Sequence, residues 1–434
     1  MLKNIFKNKF FLSTIILLVG GTFSKLLGFF LKIIITREIG TEGIGLYSML
    51  SPTTSLFTIL AIFSFPIAVS KLVSSSKIKS KNILLACIPI SIIINTLLIT
   101  FAIFFAPFIS STLLHEERLY FPIICSSLIL PFISLSSIIK GYFWGRQNML
   151  PYILSNIIEQ IVRIIILITL IPYLLKKSII LTICAIILVN IISETSSIIV
   201  MLLFVPKSAK ITKEDLKSST KGIKDVLGIT LPATSSKIVG SIAYFFEPII
   251  LTNSLLLMGY SNEYILLEYG IINGYALSLL ILPQFFSQSL STSLIPEISK
   301  YYSLGNKEKC KIRIKQICSI SFLIGLIFTI FIFLFPEFLL NILFKTTKGY
   351  KYIKILAPFT LLYFIEIPLV HSLQAMGKES LAMNITIITS IIRLSLLFIL
   401  SLLKIGMYSL IFTIIINLLV TTYLYLYYVR KELK

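Results

Sequence analysis

Twelve predominantly apolar runs, each long enough to cross a bilayer, follow one another with only short connections between them. Their approximate limits are 10–35, 43–70, 82–109, 119–143, 151–175, 178–205, 226–257, 266–295, 314–336, 352–376, 381–403 and 405–429. A helix needs about 20 apolar residues to cross a hydrocarbon layer of about 30 Å, whereas a tilted strand needs about half that number. Inside lipid every backbone N–H and C=O must be satisfied within the protein, which leaves helices or closed barrels. Runs of this length therefore predict an all-α polytopic membrane protein of about twelve spans. The connections leave no room for a soluble domain.

Only 13% of the 434 residues are charged, about half the usual share in a soluble domain. The net charge of +21 would suggest nucleic acid if the chain were soluble. Here most of the Lys and Arg residues fall on one side when the N-terminus is placed inside, so the positive-inside rule accounts for the excess and no nucleic-acid partner follows. The inside set includes Lys3, Lys7 and Lys9, then Lys71, Lys77, Lys79 and Lys81, and the lysines of 207–224. Both termini are then cytoplasmic. The basic stretch with Lys345, Lys348, Lys351 and Lys354 falls on the outer side. No small-residue cleavage site follows the first apolar run, so it reads as a retained span rather than a signal peptide. The five cysteines are scattered and give neither a metal spacing nor a disulfide framework.

The longest polar stretch between spans is 206–225, which separates six spans from six. It divides the chain into an N-terminal lobe, 1–205, a cytoplasmic linker, 206–225, and a C-terminal lobe, 226–434. Short motifs recur in order across that divide. Thr22-Phe23-Ser24-Lys25-Leu26-Leu27-Gly28 returns as Thr234-Ser235-Ser236-Lys237-Ile238-Val239-Gly240. Pro66-Ile67-Ala68-Val69-Ser70-Lys71 returns as Pro296-Glu297-Ile298-Ser299-Lys300. Gly145-Arg146 returns as Gly377-Lys378, and each is followed by an arginine deep in an apolar run, Arg163 and Arg393. Such internal symmetry is the mark of a transporter built from a duplicated bundle. Six spans separate the copies, so the repeat is parallel, with a pseudo-twofold along the membrane normal.

Charges inside the spans are the candidate site. An Arg or Lys at a helix centre costs roughly 2.5–3.5 kcal/mol on insertion scales, and such residues face a partner, water or the bundle interior. Lys25, Arg163, Lys237 and Arg393 fall near mid-membrane, and Lys32 closer to the outer face, where it could equally snorkel. Glu159 lies four residues before Arg163 and shares its helix face. Glu194, Glu247 beside Pro248, Glu366 and His371 complete the set. Glu159 can hold Arg163 in position or lock two helices together. Glu194 and Glu247 are candidates for ion coupling. The excess of cations favours an anionic substrate, because Lys and Arg are the side chains that bind phosphate. There is no Walker A lysine, no H-E-x-x-H and no G-x-S-x-G, so neither an enzyme, a metal site nor a bound cofactor is expected.

The stretch from Lys25 to Leu72 resembles the opening of the stage V sporulation protein B and polysaccharide-export branch of the MOP flippase superfamily. The resemblance rests on Lys25 with Leu27-Gly28-Phe29, on Gly40-Thr41-Glu42-Gly43-Ile44-Gly45-Leu46-Tyr47, and on Pro66 to Leu72. It continues through Lys140-Gly141-Tyr142-Phe143-Trp144-Gly145-Arg146, Ile158-Glu159-Gln160-Ile161-Val162-Arg163, Gly274-Tyr275-Ala276 to Ser299, and Leu373 to Lys378. It implies two six-helix lobes in a MATE-like V around a central cavity, with Lys25 in that cavity. It also implies alternating access and movement of a lipid-linked sugar, such as an undecaprenyl-pyrophosphate peptidoglycan or polysaccharide precursor, across the bacterial inner membrane. Many members have fourteen spans, against twelve here. The expected partners are the lipid-linked glycan and the bilayer, with the protein a monomer. The driving force, Na+, H+ or membrane potential, is left open. Two other readings stay open: a cation-coupled drug or small-molecule exporter centred on Glu194 or Glu247, and a non-transporting assembly scaffold.

Overall fold

The computed structural model describes residues 9–75, 80–205 and 213–433. Lys3, Lys7, Lys77, Lys79, Lys434 and residues 206–212 of the linker lie outside the described residues. Those described form helices and turns, with no strand among them.

The first helix, α1 (Lys9–Ile62), has 54 residues. A straight helix of that length would run about 80 Å, far more than a bilayer can hold. Gly40 resolves this. Its backbone, φ 67° and ψ −170°, is one that only glycine adopts without strain, and it divides α1 into two spans. Ten of the described helices are long and apolar enough to cross a membrane, counting Val19–Ser74 as one. A bent pair, α14 (Tyr350–Thr360) and α15 (Tyr363–Ala375), meeting at 43°, makes an eleventh. Dividing the first at Gly40 gives twelve.

The chain forms two compact units. Unit 1 comprises Met1–Ile39 and Leu50–Phe245; unit 2 comprises Gly40–Met49 and Phe246–Lys434. Residues 226–245, which the linker position assigns to the C-terminal lobe, belong by contact to unit 1. The physical reason is that α8 (Lys213–Leu257) runs unbroken, and Val226, with Ile223, Leu227 and Ile229, packs into the unit 1 core.

Unit 1 also contains α2 (Phe65–Ser74), α3 (Ser80–Pro107), α4 (Tyr120–Leu128), α5 (Leu130–Gly145), α6 (Met149–Leu175) and α7 (Ile179–Leu203). In lipid the hydrophobic effect does not hold helices together; close packing of small residues and interhelical hydrogen bonds do. The α2–α5 contact has this character. A Cβ on Gly141 would come within 2.8 Å of the Pro66 Cα, and one on Gly145 within 2.8 Å of the Ser70 carbonyl. Two of the sequence blocks, Lys140 to Arg146 and Pro66 to Lys71, are thus the two sides of one helix crossing. Between α3 and α5, Ser91 and Ser134 share a hydrogen bond of 2.7 Å.

Unit 2 repeats the arrangement. Its elements are α9 (Asn262–Gly270), α10 (Leu277–Ile281), α11 (Gln284–Ser303), α12 (Lys307–Leu334), α13 (Pro336–Phe344), α14, α15, α16 (Glu379–Ser401) and α17 (Tyr408–Glu432). The α11–α15 contact stands where α2–α5 stands in unit 1, and α16 packs along α17 as α6 packs along α7. Ile298, from a recurring motif, meets Leu373, Ala375 and Met376 in its core. Arg163 and Arg393 each lie fourteen residues into their helices, α6 and α16.

Candidate functional site

Unit 1 gathers four charges from three helices. Arg163 donates from Nη2 to Glu159 Oε1 at 2.9 Å, one helical turn away on α6. Its Nη2 and Nε also donate to Ser193 Oγ on α7, at 3.2 and 3.3 Å. Lys140, on α5, completes the cluster: its Nζ lies 3.6 Å from Glu159 Oε2 and 3.9 Å from Glu194 Oε2. Both carboxylates are buried, at 7 and 8% exposure. Two cations and two anions cancel, which is how such groups are tolerated in a bundle interior. Glu159 has two cations within ion-pair reach, so loss of either leaves it paired, whereas Glu194 reaches Lys140.

Unit 2 holds a simpler arrangement. Arg393, on α16, pairs through Nη2 with Glu247 Oε2 on α8. Glu247 is 1% exposed. Tyr363, at the start of α15, lies within electrostatic reach of Arg393, Glu247 and Glu366. Glu366 forms no ion pair with any described residue, and its Oε2 is buried without a hydrogen-bond donor. It sits one turn beyond the bend between α14 and α15.

The lysines behave differently from the arginines. Lys25, Lys32 and Lys237 have no carboxylate within ion-pair distance among the described residues. Lys25 and Lys237 are exposed and Lys32 is half-buried. Lys25 and Lys32 lie seven residues apart on α1, on the same face as Gly28 between them. A Cβ at Gly28 would stand 3.8 Å from Gln160 Oε1, so this face of α1 lies beside α6, next to the charge cluster. Lys237 is on α8, in the part that belongs to unit 1. Both T-x-S-K motifs therefore fall in the same unit.

The structure thus brings Glu159, Arg163 and Glu194 together, and Glu247 with Arg393, while Lys25, Lys32 and Lys237 have no ion-pair partner among the described residues. Sequence reasoning missed Lys140, Ser193 and Tyr363. Lys140 lies five residues before the end of α5, close enough to the helix end to look like a loop cation. Its place between Gly141 and the buried serines of α5 was the signal that could have found it. Glu366 was visible as an in-span acid, but nothing in the sequence showed it to be unpaired. No group of three or more His, Cys, Asp or Glu capable of holding a metal occurs among the described residues.

Comparison with known proteins places the chain. A family model described as polysaccharide biosynthesis protein matches residues 11–302, and one described as MatE matches residues 273–399. Stage V sporulation protein B of Bacillus subtilis (strain 168) is 33% identical over 407 residues, covering 91% of this chain and 78% of that protein. Among solved structures, an inward-facing multidrug resistance MATE family transporter of the MOP superfamily superposes with a TM-score of 0.75 at 16% identity, covering 94% of each chain. Lipid II flippase MurJ, in an inward closed conformation, superposes with a TM-score of 0.72 at 16% identity, covering 96% of this chain and 89% of that one. The repeated helix pairings, the multi-pass apolar helices and these matches agree: the chain is a multi-pass membrane protein with the fold of these MATE and MurJ structures, and it belongs to the polysaccharide biosynthesis protein family.

Proposed function

We propose that this transporter moves an undecaprenyl-pyrophosphate-linked sugar, a precursor of peptidoglycan or another surface polysaccharide, across the bacterial inner membrane by alternating access. The observation that carries this reading is the set of unpaired in-span lysines, Lys25, Lys32 and Lys237. An ammonium in a membrane helix without a carboxylate is costly unless its counter-ion arrives with a ligand. A pyrophosphate supplies that counter-ion, and Coulomb attraction in a partly dehydrated site is much stronger than in water. Arg163 and Arg393 are already neutralised by Glu159 and Glu247, so they serve the head group second, when the substrate's charge competes with their carboxylates. Glu159 and Glu194 hold Arg163 and Lys140 ready. The similarity to stage V sporulation protein B supports a role in spore or cell-wall synthesis. Both termini face the cytoplasm and the monomer is the working unit.

The deciding experiment is flipping of a fluorescent lipid-linked disaccharide by purified protein in proteoliposomes. Lys25→Gln with Lys237→Gln should abolish flipping while the protein remains folded and inserted. Full activity in the double variant rejects the site, and no flipping by wild type rejects the function in favour of an assembly scaffold.

One observation favours a second reading, a cation-coupled small-molecule exporter: Glu366 is an in-span carboxylate with no ion-pair partner beside the Glu247–Arg393 pair. In that case Glu366→Gln or Glu247→Gln abolishes transport and the lysine variants retain it.

A further inference from the structure

Away from the charges, unit 1 brings two thiols together. Cys125 lies five residues into α4 and Cys184 five residues into α7. The two helices pack against each other, and the two thiols lie close enough to interact. At 1.5 Å per residue, both lie about 7.5 Å below the same end of the bundle. Cys184 is buried, whereas Cys125 is partly open to its surroundings. The other three cysteines are placed differently: Cys87 is buried on α3, the Cys310 thiol, on α12, donates to the Ile298 carbonyl at 3.6 Å, and Cys318, half-buried, lies about two turns further along α12. No third metal ligand joins the pair among the described residues. Two thiols at one depth on neighbouring helices, one of them accessible, have the arrangement a dithiol switch requires.

We propose that Cys125 and Cys184 form a reversible disulfide staple between α4 and α7. The oxidant is a small disulfide, R–S–S–R. The Cys125 sulfur, as its thiolate, attacks one sulfur of the oxidant; a mixed disulfide forms and the first R–SH leaves. The Cys184 sulfur then attacks the Cys125 sulfur and displaces the second R–SH. Two protons and two electrons depart with the two thiols, so the exchange balances. Cys125 reacts first because it is the accessible one.

The staple closes a loop from 125 to 184 that contains α5 and α6, and with them Lys140, Glu159 and Arg163. It also ties α7 about 15 Å along its axis from Glu194. Oxidation would therefore restrain every helix that contributes to the unit 1 charge cluster. With both termini cytoplasmic, this end of the bundle faces outward, where disulfides persist. That location rests on the orientation given under the proposed function; the chemistry of the pair does not.

The test uses full-length protein in nanodiscs treated with 4,4′-dithiodipyridine, a small apolar disulfide, then digested without reduction and mapped by mass spectrometry. The expected product is a Cys125–Cys184 linked peptide free of pyridyl groups and lost on addition of dithiothreitol. The isolated cysteines, where they react, carry a pyridyl adduct instead. In Cys125→Ser and Cys184→Ser the linked peptide disappears. The oxidised wild type should also melt a few degrees higher than the reduced protein, a shift absent from both variants. Cys125 and Cys184 each bearing its own pyridyl group, or both remaining free thiols, overturns the proposal. Neither result bears on lipid flipping, so this proposal and the transport reading fail independently.

Discussion

Units 1 and 2 pair their helices in the same order, yet they treat buried charge in opposite ways. Unit 1 carries a neutral cluster of Lys140, Glu159, Arg163 and Glu194, and beyond it three lysines without an acid. Unit 2 carries one tight pair, Arg393 with Glu247, and beyond it a carboxylate without a cation, Glu366. Duplication gave both halves an arginine at the same helical position. What surrounds that arginine differs: a four-group network in one unit, an ion pair with Glu247 in the other. Counting these in-span charges, unit 1 is cationic in balance and unit 2 anionic. The recurring Pro66 and Gly145 motifs mark a helix crossing, whereas the partners of the two arginines differ between the copies.

This contrast is open to direct attack. The largest effect belongs to Arg393→Met, which leaves Glu247, 1% exposed, as an uncompensated charge. It should cost about 3–5 kcal/mol of stability, read as a lower midpoint in thermal unfolding of purified protein. Adding Glu247→Leu should restore most of the loss. Arg163→Met should cost less, about 1–3 kcal/mol, because Lys140 remains within reach of Glu159. Equal losses from the two arginine variants would erase the distinction between network and pair. Gly141→Val tests the helix crossing rather than the charge. With 2.8 Å available to a Cβ, it should destabilise by about 1–3 kcal/mol and lower the yield of folded protein. Lys378→Gln is the smallest. Lys378 Nζ lies 2.9 Å from Glu432 Oε2 in an exposed pair, and no change in the unfolding midpoint is expected near neutral pH. Glu432 holds the Lys378 ammonium above its ordinary value. Whatever this pair contributes is present below the ordinary lysine value and is lost only as pH rises through the raised one.

The all-helical, multi-pass character was legible because hydrocarbon imposes strict rules on a chain. Length and apolarity alone give twelve spans, and Gly40 and the α14–α15 bend explain why a count of straight helices gives fewer. The recurring Pro66–Lys71 and Gly145-Arg146 motifs were legible as a repeat, and in unit 1 the structure shows them meeting: a Cβ on Gly145 would come within 2.8 Å of the Ser70 carbonyl. The Glu159–Arg163 pair was legible from its spacing of four. Pairing between helices distant in sequence was not. Nothing in the linear order joins Glu247 to Arg393, 146 positions away, or Lys140 to Glu194. The reach of α8 into unit 1 was hidden for a related reason. A polar stretch marks where water meets the chain, but not which bundle the following helix packs against, so Lys237 looked like a residue of the second half.

The central claim is that the unpaired lysines of unit 1 hold the anionic head group. Its most direct test is the affinity of purified protein for undecaprenyl pyrophosphate, measured by calorimetry for wild type, for the Lys25→Gln, Lys32→Gln, Lys237→Gln triple variant, and for Glu247→Gln. The account predicts at least a tenfold loss of affinity in the triple variant, about 1.4 kcal/mol, with Glu247→Gln binding as well as wild type or better. A triple variant that binds undecaprenyl pyrophosphate as tightly as wild type would contradict it.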